Sequence, residues 1–203
     1  MAKKAELFPD PHFDYEHNLL KNLPGLTDQK LLDDFERIQA TKALVNLWSK
    51  PVLDNFDTAH LKAIHARIFQ RIYPWAGEFR RVNLHRSGSY YFAVVQFMEE
   101  NLKRTFEKLA SENHLRGLDA VAFAHRAAFY LGEINAIHPF REGNGRTQRE
   151  FIRELAAGAG LRLNWNRVSR EQMYGASIES HSLGKNDALT TLILLAMEPV
   201  RQS

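Results

Sequence analysis

The chain has 203 residues, 44% of them hydrophobic and 25% charged, with no cysteine and a formal net charge of +3. That length suits one domain, or two at most, with enough apolar residues for a real core. The missing cysteine excludes a disulfide framework and any thiolate metal site.

The opening residues, MAKKAELFPDPHFDYEH, hold no apolar segment of the kind a secretory signal needs, and runs such as TLILLAM near the C-terminus are too short for a bilayer. A soluble, cytoplasmic protein with no membrane partner is therefore expected. The basic residues are spread along the chain and not gathered in one run, so no direct nucleic-acid partner is expected either. A basic surface holding a pocket for a phosphorylated small molecule fits better.

Periodicity predicts helices almost throughout. From Thr27 to Lys50, Leu31, Phe35, Ile38, Val45 and Trp48 fall on one face, and Pro51 stops the run. Asp57–Tyr73 repeats the pattern with Leu61, Ile64, Ile68, Phe69 and Ile72 before Pro74. Gly77–Val94 (GEFRRVNLHRSGSYYFAV) breaks it: alternation, aromatic residues and a central Ser87-Gly88-Ser89 predict a short β-hairpin. Phe97–Glu112 is the next helix, with Met98, Leu102, Phe106 and Leu109 inward. Asp119 caps a long helix built on Val121, Ala124, Ala128, Leu131 and Ile134, which Pro139 ends near His138. A helix from about Gly145 to Ala157 ends at Gly158 or Gly160. Ser169 and Gln172 form a capping box for the next, and Asn186 caps the last. No linker or repeat divides the chain. It reads as one all-α domain, 1–203, with an N-terminal helical region to about residue 55 and one hairpin.

The chemistry concentrates in HPFREGNGRTQRE, His138–Glu150. Gly143-Asn144-Gly145 places bare backbone amides at a helix N-terminus, where the dipole favours an anion. Arg146 and Arg149 lie three apart on the first turn, where cations oppose that dipole and crowd each other. A bound polyphosphate removes both problems, because each guanidinium can fork onto phosphate oxygens. Glu142 could hold Mg²⁺ against the phosphates. His138 could act as general base on an incoming hydroxyl. Phe140 reads as an apolar anchor for the loop. Taken singly, a helix-end His, a Gly-Asn-Gly turn and an arginine pair are usually structural; together within twelve residues they are not.

HPFREGNGRTQR resembles the Fic-domain signature at every defining position: His, Phe two on, an acidic residue, Gly-Asn-Gly-Arg, and a second Arg three further. FDTAHLKAIHARIFQRIYPWAGEFRRVNL (Phe56–Leu84) and DYEHNLLKNLPGLTDQKLLDDFE (Asp14–Glu36) also look like the family's regions before the motif. The resemblance implies a helical bundle with a hairpin flap at about 77–94. It implies transfer of AMP from ATP to a protein hydroxyl. His138 would be the base and Glu142 the Mg²⁺ ligand. Gly143, Asn144 and Gly145 would cradle the phosphates, and Arg146 and Arg149 would hold the outer ones. The flap would register the target protein by strand addition. Tyr174 would line the adenine pocket, with core packing as its other reading.

Many relatives also carry an inhibitory helix: Ser or Thr, three residues, Glu, then Gly or Asn. Here Glu100-Asn101, Glu112-Asn113 and Glu142-Gly143 are preceded at the fourth position by Gln96, Lys108 and His138, so none fits. The chain thus resembles the members whose inhibitory helix lies on a separate small antitoxin, and such a partner near Arg149 is expected. The resemblance further suggests type II topoisomerase subunits as targets. The alternatives are transfer of UMP, phosphocholine or a phosphoryl group, removal of AMP from modified proteins, or a non-catalytic nucleotide- or DNA-binding bundle.

Overall fold

Four of the helices begin at a capping side chain, because the first amides of a helix have no internal acceptor. Asp28, Asp57 and Asp119 accept the amides of Leu31, His60 and Ala122 at 2.9, 3.0 and 2.8 Å. Ser169 and Gln172 make both bonds of the capping box. The computed structural model describes residues 9–52, 55–84 and 91–198. Its helices there are α1 (Gln29–Ser49), α2 (Thr58–Phe69), α3 (Val95–Ser111), α4 (Ala120–Ile137), α5 (Asn144–Gly158), α6 (Arg170–Leu183) and α7 (Asp187–Ala196). The all-α bundle follows the sequence reading. Asn186 stands at the start of α7 without a side-chain cap; its Oδ1 accepts the Ser180 hydroxyl at 2.7 Å instead.

Helix α4 is apolar nearly all round, as a central helix must be. Phe123, Ala124, Ala127, Ala128, Leu131 and Ile134 are buried on it, and α3, α5, α6 and α7 pack around it. Val121, expected inward, is exposed at the first turn. Helix α2 lies between α1 and α5. This brings three things to one end of the bundle: the C-terminus of α4, the N-terminus of α5 and the inner face of α1.

The face of α1 differs from the sequence reading. Of the expected stripe, Phe35 packs against the core, but Leu31, Ile38, Val45 and Trp48 are exposed, while Leu32, Ala40 and Leu47 are buried. The inward stripe is interrupted by Glu36, which makes the outward one look more regular by apolar spacing alone. Glu36 turns inward because it accepts hydrogen bonds from the Tyr73 hydroxyl and, at 2.6 Å, from Arg146 Nη2.

The two-stranded ladder among the described residues is also elsewhere than expected. It pairs Phe13–Asp14 (β1) with Leu19–Leu20 (β2), antiparallel, ahead of α1. The tip of the predicted flap, residues 85–90, lies outside the described residues. Its two flanks approach each other through Phe92 N–H donating to Leu84 O at 3.4 Å.

Candidate active site

Pro139 cannot continue α4, and His138 closes that helix in the left-handed region at φ 52, ψ 62. A non-glycine residue rarely adopts this conformation without surrounding support. The support is visible. Arg80 Nε donates to His138 O at 2.7 Å, and the Phe92 ring stacks on the imidazole with centroids 3.7 Å apart.

The loop that follows closes on itself. Asn144 Oδ1 accepts the Phe140 amide at 2.9 Å, and its Nδ2 donates to Phe140 O at 2.7 Å. The Asn144 side chain is thus used within the loop. Phe140 is buried and stacks on His65 at 3.9 Å, the anchor expected of it. His65 Nδ1 accepts the Gly77 amide at 2.8 Å, so Nε2 carries the proton and donates to Glu142 O at 3.1 Å. One neutral imidazole therefore joins the root of the flap to the motif loop.

Burial holds the His65 imidazole down to about 3, with the Glu142 carbonyl raising it and Arg146 lowering it. In the unfolded chain it takes up a proton near pH 6.5. The unfolded state binds more protons between those values, so stability falls as pH drops from about 6.5 towards 3. Between pH 5.5 and 4.5 this one group should remove roughly 1 kcal/mol. Urea denaturation of His65→Gln across that interval should show a shallower loss than the parent; equal slopes would contradict the assignment.

Gly143 precedes α5 at φ +81, and the amides of Asn144, Gly145 and Arg146 come before the first internal bond of that helix, Thr147 N–H to Gly143 O at 3.1 Å. The Gly143 amide, expected in the anion nest with those of Asn144 and Gly145, is instead taken by Glu142 Oε1. The Glu142 side chain is 46% exposed; its Oε1 accepts the Gly143 amide at 2.8 Å and lies 3.5 Å from Arg146 Nη2, while Oε2 has no hydrogen bond among the described residues. A single half-exposed carboxylate with one open oxygen suits Mg²⁺, which keeps waters and substrate oxygens for most of its shell. No cluster of three His, Asp or Glu able to cage a metal occurs among the described residues.

The two arginines differ. Arg146 is committed to Glu36 at 2.6 Å, approaches Glu142, and lies over the Phe69 ring at 4.8 Å. Arg149 has no carboxylate partner among the described residues. Burial pushes its guanidinium down to about 10, with Arg146 and Arg170 adding repulsion. It lies back over the first turn, its Nη1 3.5 Å from where a Cβ on Gly145 would stand. Tyr174 lies on α6, one turn beyond Arg170, and is 55% exposed, so core packing is not its role.

Sequence reasoning missed Glu36, His65, Arg80, Phe92 and Arg170. Two clefts, of about 580 and 670 Å³, lie away from the site, between α1 and α2 and at the far end of α5. What marks it is charge gathered at a helix N-terminus beside a strained histidine.

Residues 55–156 match the Fic/DOC family, a span that includes the motif loop. The chain is 42% identical over 94% of its length to the protein adenylyltransferase VbhT of Bartonella schoenbuchensis, of which it spans 40%. It is 36% identical over 81% of its length to a probable protein adenylyltransferase of Sinorhizobium fredii, covering 84% of that protein. Among solved structures, BepC from Bartonella tribocorum, with bound AMPPNP, superposes with a TM-score of 0.87 at 28% identity over 94% of this chain and 97% of that one. The N-terminal Fic domain of a VirB-translocated Bep effector from Bartonella quintana, with bound ADP, gives 0.88 at 28% identity over 94% and 95%. By its helices, its motif loop and these matches, the chain belongs to the Fic/DOC family.

Proposed function

We propose that this chain is a protein adenylyltransferase, moving AMP from ATP to a hydroxyl side chain of a target protein and releasing pyrophosphate. The observation that carries the reading is Arg149, a largely buried cation with cationic neighbours and no carboxylate partner among the described residues, set over a helix N-terminus. Such a charge is costly to bury and is offset once a polyanion arrives. Relatives named adenylyltransferases, and neighbours bound to AMPPNP and ADP, support ATP as that polyanion.

The amides of Asn144, Gly145 and Arg146 hold the phosphates, with Arg149 on their outer oxygens. His138 takes the proton as the hydroxyl oxygen attacks the α-phosphorus, and the bond to the β-phosphate bridging oxygen breaks to release pyrophosphate. Glu142 would hold Mg²⁺, which supplies charge neutralisation along the phosphates when bound. The flap, flanked by exposed Tyr91, Val94 and Phe97, receives the target's backbone. A separate small antitoxin bringing a carboxylate to Arg149 would neutralise it and displace the outer phosphate. Type II topoisomerase subunits are the proposed targets on the family resemblance alone. Among the described residues no helix is long and apolar enough to cross a membrane.

The test is transfer of ³²P from separately α- and γ-labelled ATP into a bacterial lysate. The expected result is label from the α-phosphate only, reduced roughly 1,000-fold in His138→Ala as removal of a general base implies. Label from the γ-phosphate only would replace AMP transfer with phosphoryl transfer.

A further inference from the structure

Arg80 is 1% exposed, among the largest fully buried side chains of the chain. A buried guanidinium is normally matched by a carboxylate. This one is matched by backbone carbonyls. Nε donates to His138 O at 2.7 Å, Nη1 to Val82 O at 2.8 Å, and Nη2 to Ala93 O at 2.5 Å and Ile137 O at 3.1 Å. Four of its five N–H groups are thereby used, on three separate segments.

The segments are the ones that must keep a fixed relation for transfer. Val82 stands on the ascending flank of the flap, Ala93 on the descending flank, and Ile137 and His138 at the end of α4. The backbone repeats the connection: Arg80 N–H donates to Pro139 O at 2.9 Å and Ala93 N–H to Ala136 O at 3.1 Å. Phe92, next to Ala93, stacks on the His138 ring. The last carbonyls of α4 need a donor in any case, and a cation suits that end of the helix. Helix capping alone, however, needs neither Val82 O nor Ala93 O. The bond to His138 O also fixes the peptide that follows the left-handed residue, and with it the direction of the imidazole.

We propose that Arg80 is a positioning residue for the transfer reaction: it locks both flanks of the flap to the backbone of His138, so that a hydroxyl registered on the flap arrives at the base. Arg80 touches no substrate; it acts through His138 and the flap. The proposal rests on the adenylyltransferase reading for its catalytic consequence, and on the geometry alone for the mechanical one.

Arg80→Lys tests it, since an ammonium keeps the charge but cannot span carbonyls on three segments. Three quantities are compared with the parent chain: the Kd for AMPPNP, the rate of α-³²P transfer into lysate protein at saturating ATP, and amide exchange at positions 80, 93 and 138. The expected result is an AMPPNP Kd within about threefold and a transfer rate down roughly 100-fold, the scale of a misplaced reactant. Exchange should be faster at 80 and 93 while the α5 amides from Thr147 onward remain protected. An unchanged transfer rate per nucleotide-binding molecule overturns the proposal. So does a parallel loss of nucleotide affinity and rate, which would make Arg80 a general support of the fold. If the parent itself transfers no AMP, the adenylyltransferase reading fails separately, and unaltered exchange at 80, 93 and 138 would still overturn the lock.

Discussion

Arg149→Gln is expected to weaken AMPPNP binding about 100-fold while raising the stability of the nucleotide-free protein by about 1 kcal/mol. Arg149 is partly buried, repelled by Arg146 and Arg170, and has no carboxylate within ion-pair distance among the described residues. Glutamine keeps most of the length and removes the charge, so the empty site loses a repulsion and a desolvation cost together. With nucleotide bound the same group makes charge-assisted bonds to phosphate, each contributing about 1.5–3 kcal/mol, so its loss is felt mainly in affinity. Arg146→Gln should behave oppositely in the empty protein, because it leaves the largely buried Glu36 carboxylate with the Tyr73 hydroxyl but no cation, and breaking such a pair costs about 3 kcal/mol. Thermal melts without nucleotide, paired with calorimetric titration by AMPPNP, separate the two. If Arg149→Gln melted lower than the parent and bound AMPPNP equally well, the arginine would be a structural group and the site would lie elsewhere.

That asymmetry between Arg146 and Arg149 marks the limit of what the sequence discloses. The motif loop was legible as a cluster because its groups sit within twelve residues: His138, Glu142, the two glycines and the arginines are local, and the helix boundaries at His138 and Asn144 follow from proline and glycine chemistry. The groups that hold the loop in place were not legible, because their partners are distant in sequence and consist of backbone. Arg80 meets His138 O across 58 positions, and His65 meets Glu142 O across 77. Nothing in GEFRRV separates Arg80, wholly buried, from Arg81, whose side chain is 68% exposed. The inner face of α1 was missed for a related reason. Glu36, which holds Arg146, is the polar residue that spoils the apolar periodicity, so the more regular stripe was mostly the wrong one.

The two glycines of the motif should separate packing from ligand access. Gly143→Ala is expected to cost about 3 kcal/mol, with the larger part from a new Cβ standing 2.3 Å from two atoms of the Phe69 ring and the rest from holding alanine at φ +81. The ring cannot step aside cheaply. Phe69 is fully buried, lies 4.7 Å from His65, and carries the Arg146 guanidinium over its face. Displacing it would move the groups that hold Glu142 and Arg146, so activity should fall further than stability. Gly145→Ala meets nothing closer than Arg149 Nη1 at 3.5 Å, has no positive φ, and gains helix propensity. Its stability should stay within about 0.5 kcal/mol of the parent, while AMPPNP affinity drops about 10-fold because a methyl group now covers amides that phosphate must approach. Urea denaturation and nucleotide titration on both variants read the two effects independently. Equal losses of stability would mean that both glycines serve the loop's fold; equal losses of affinity without a loss of stability would mean that Phe69 yields, and that the nest is softer than its packing implies.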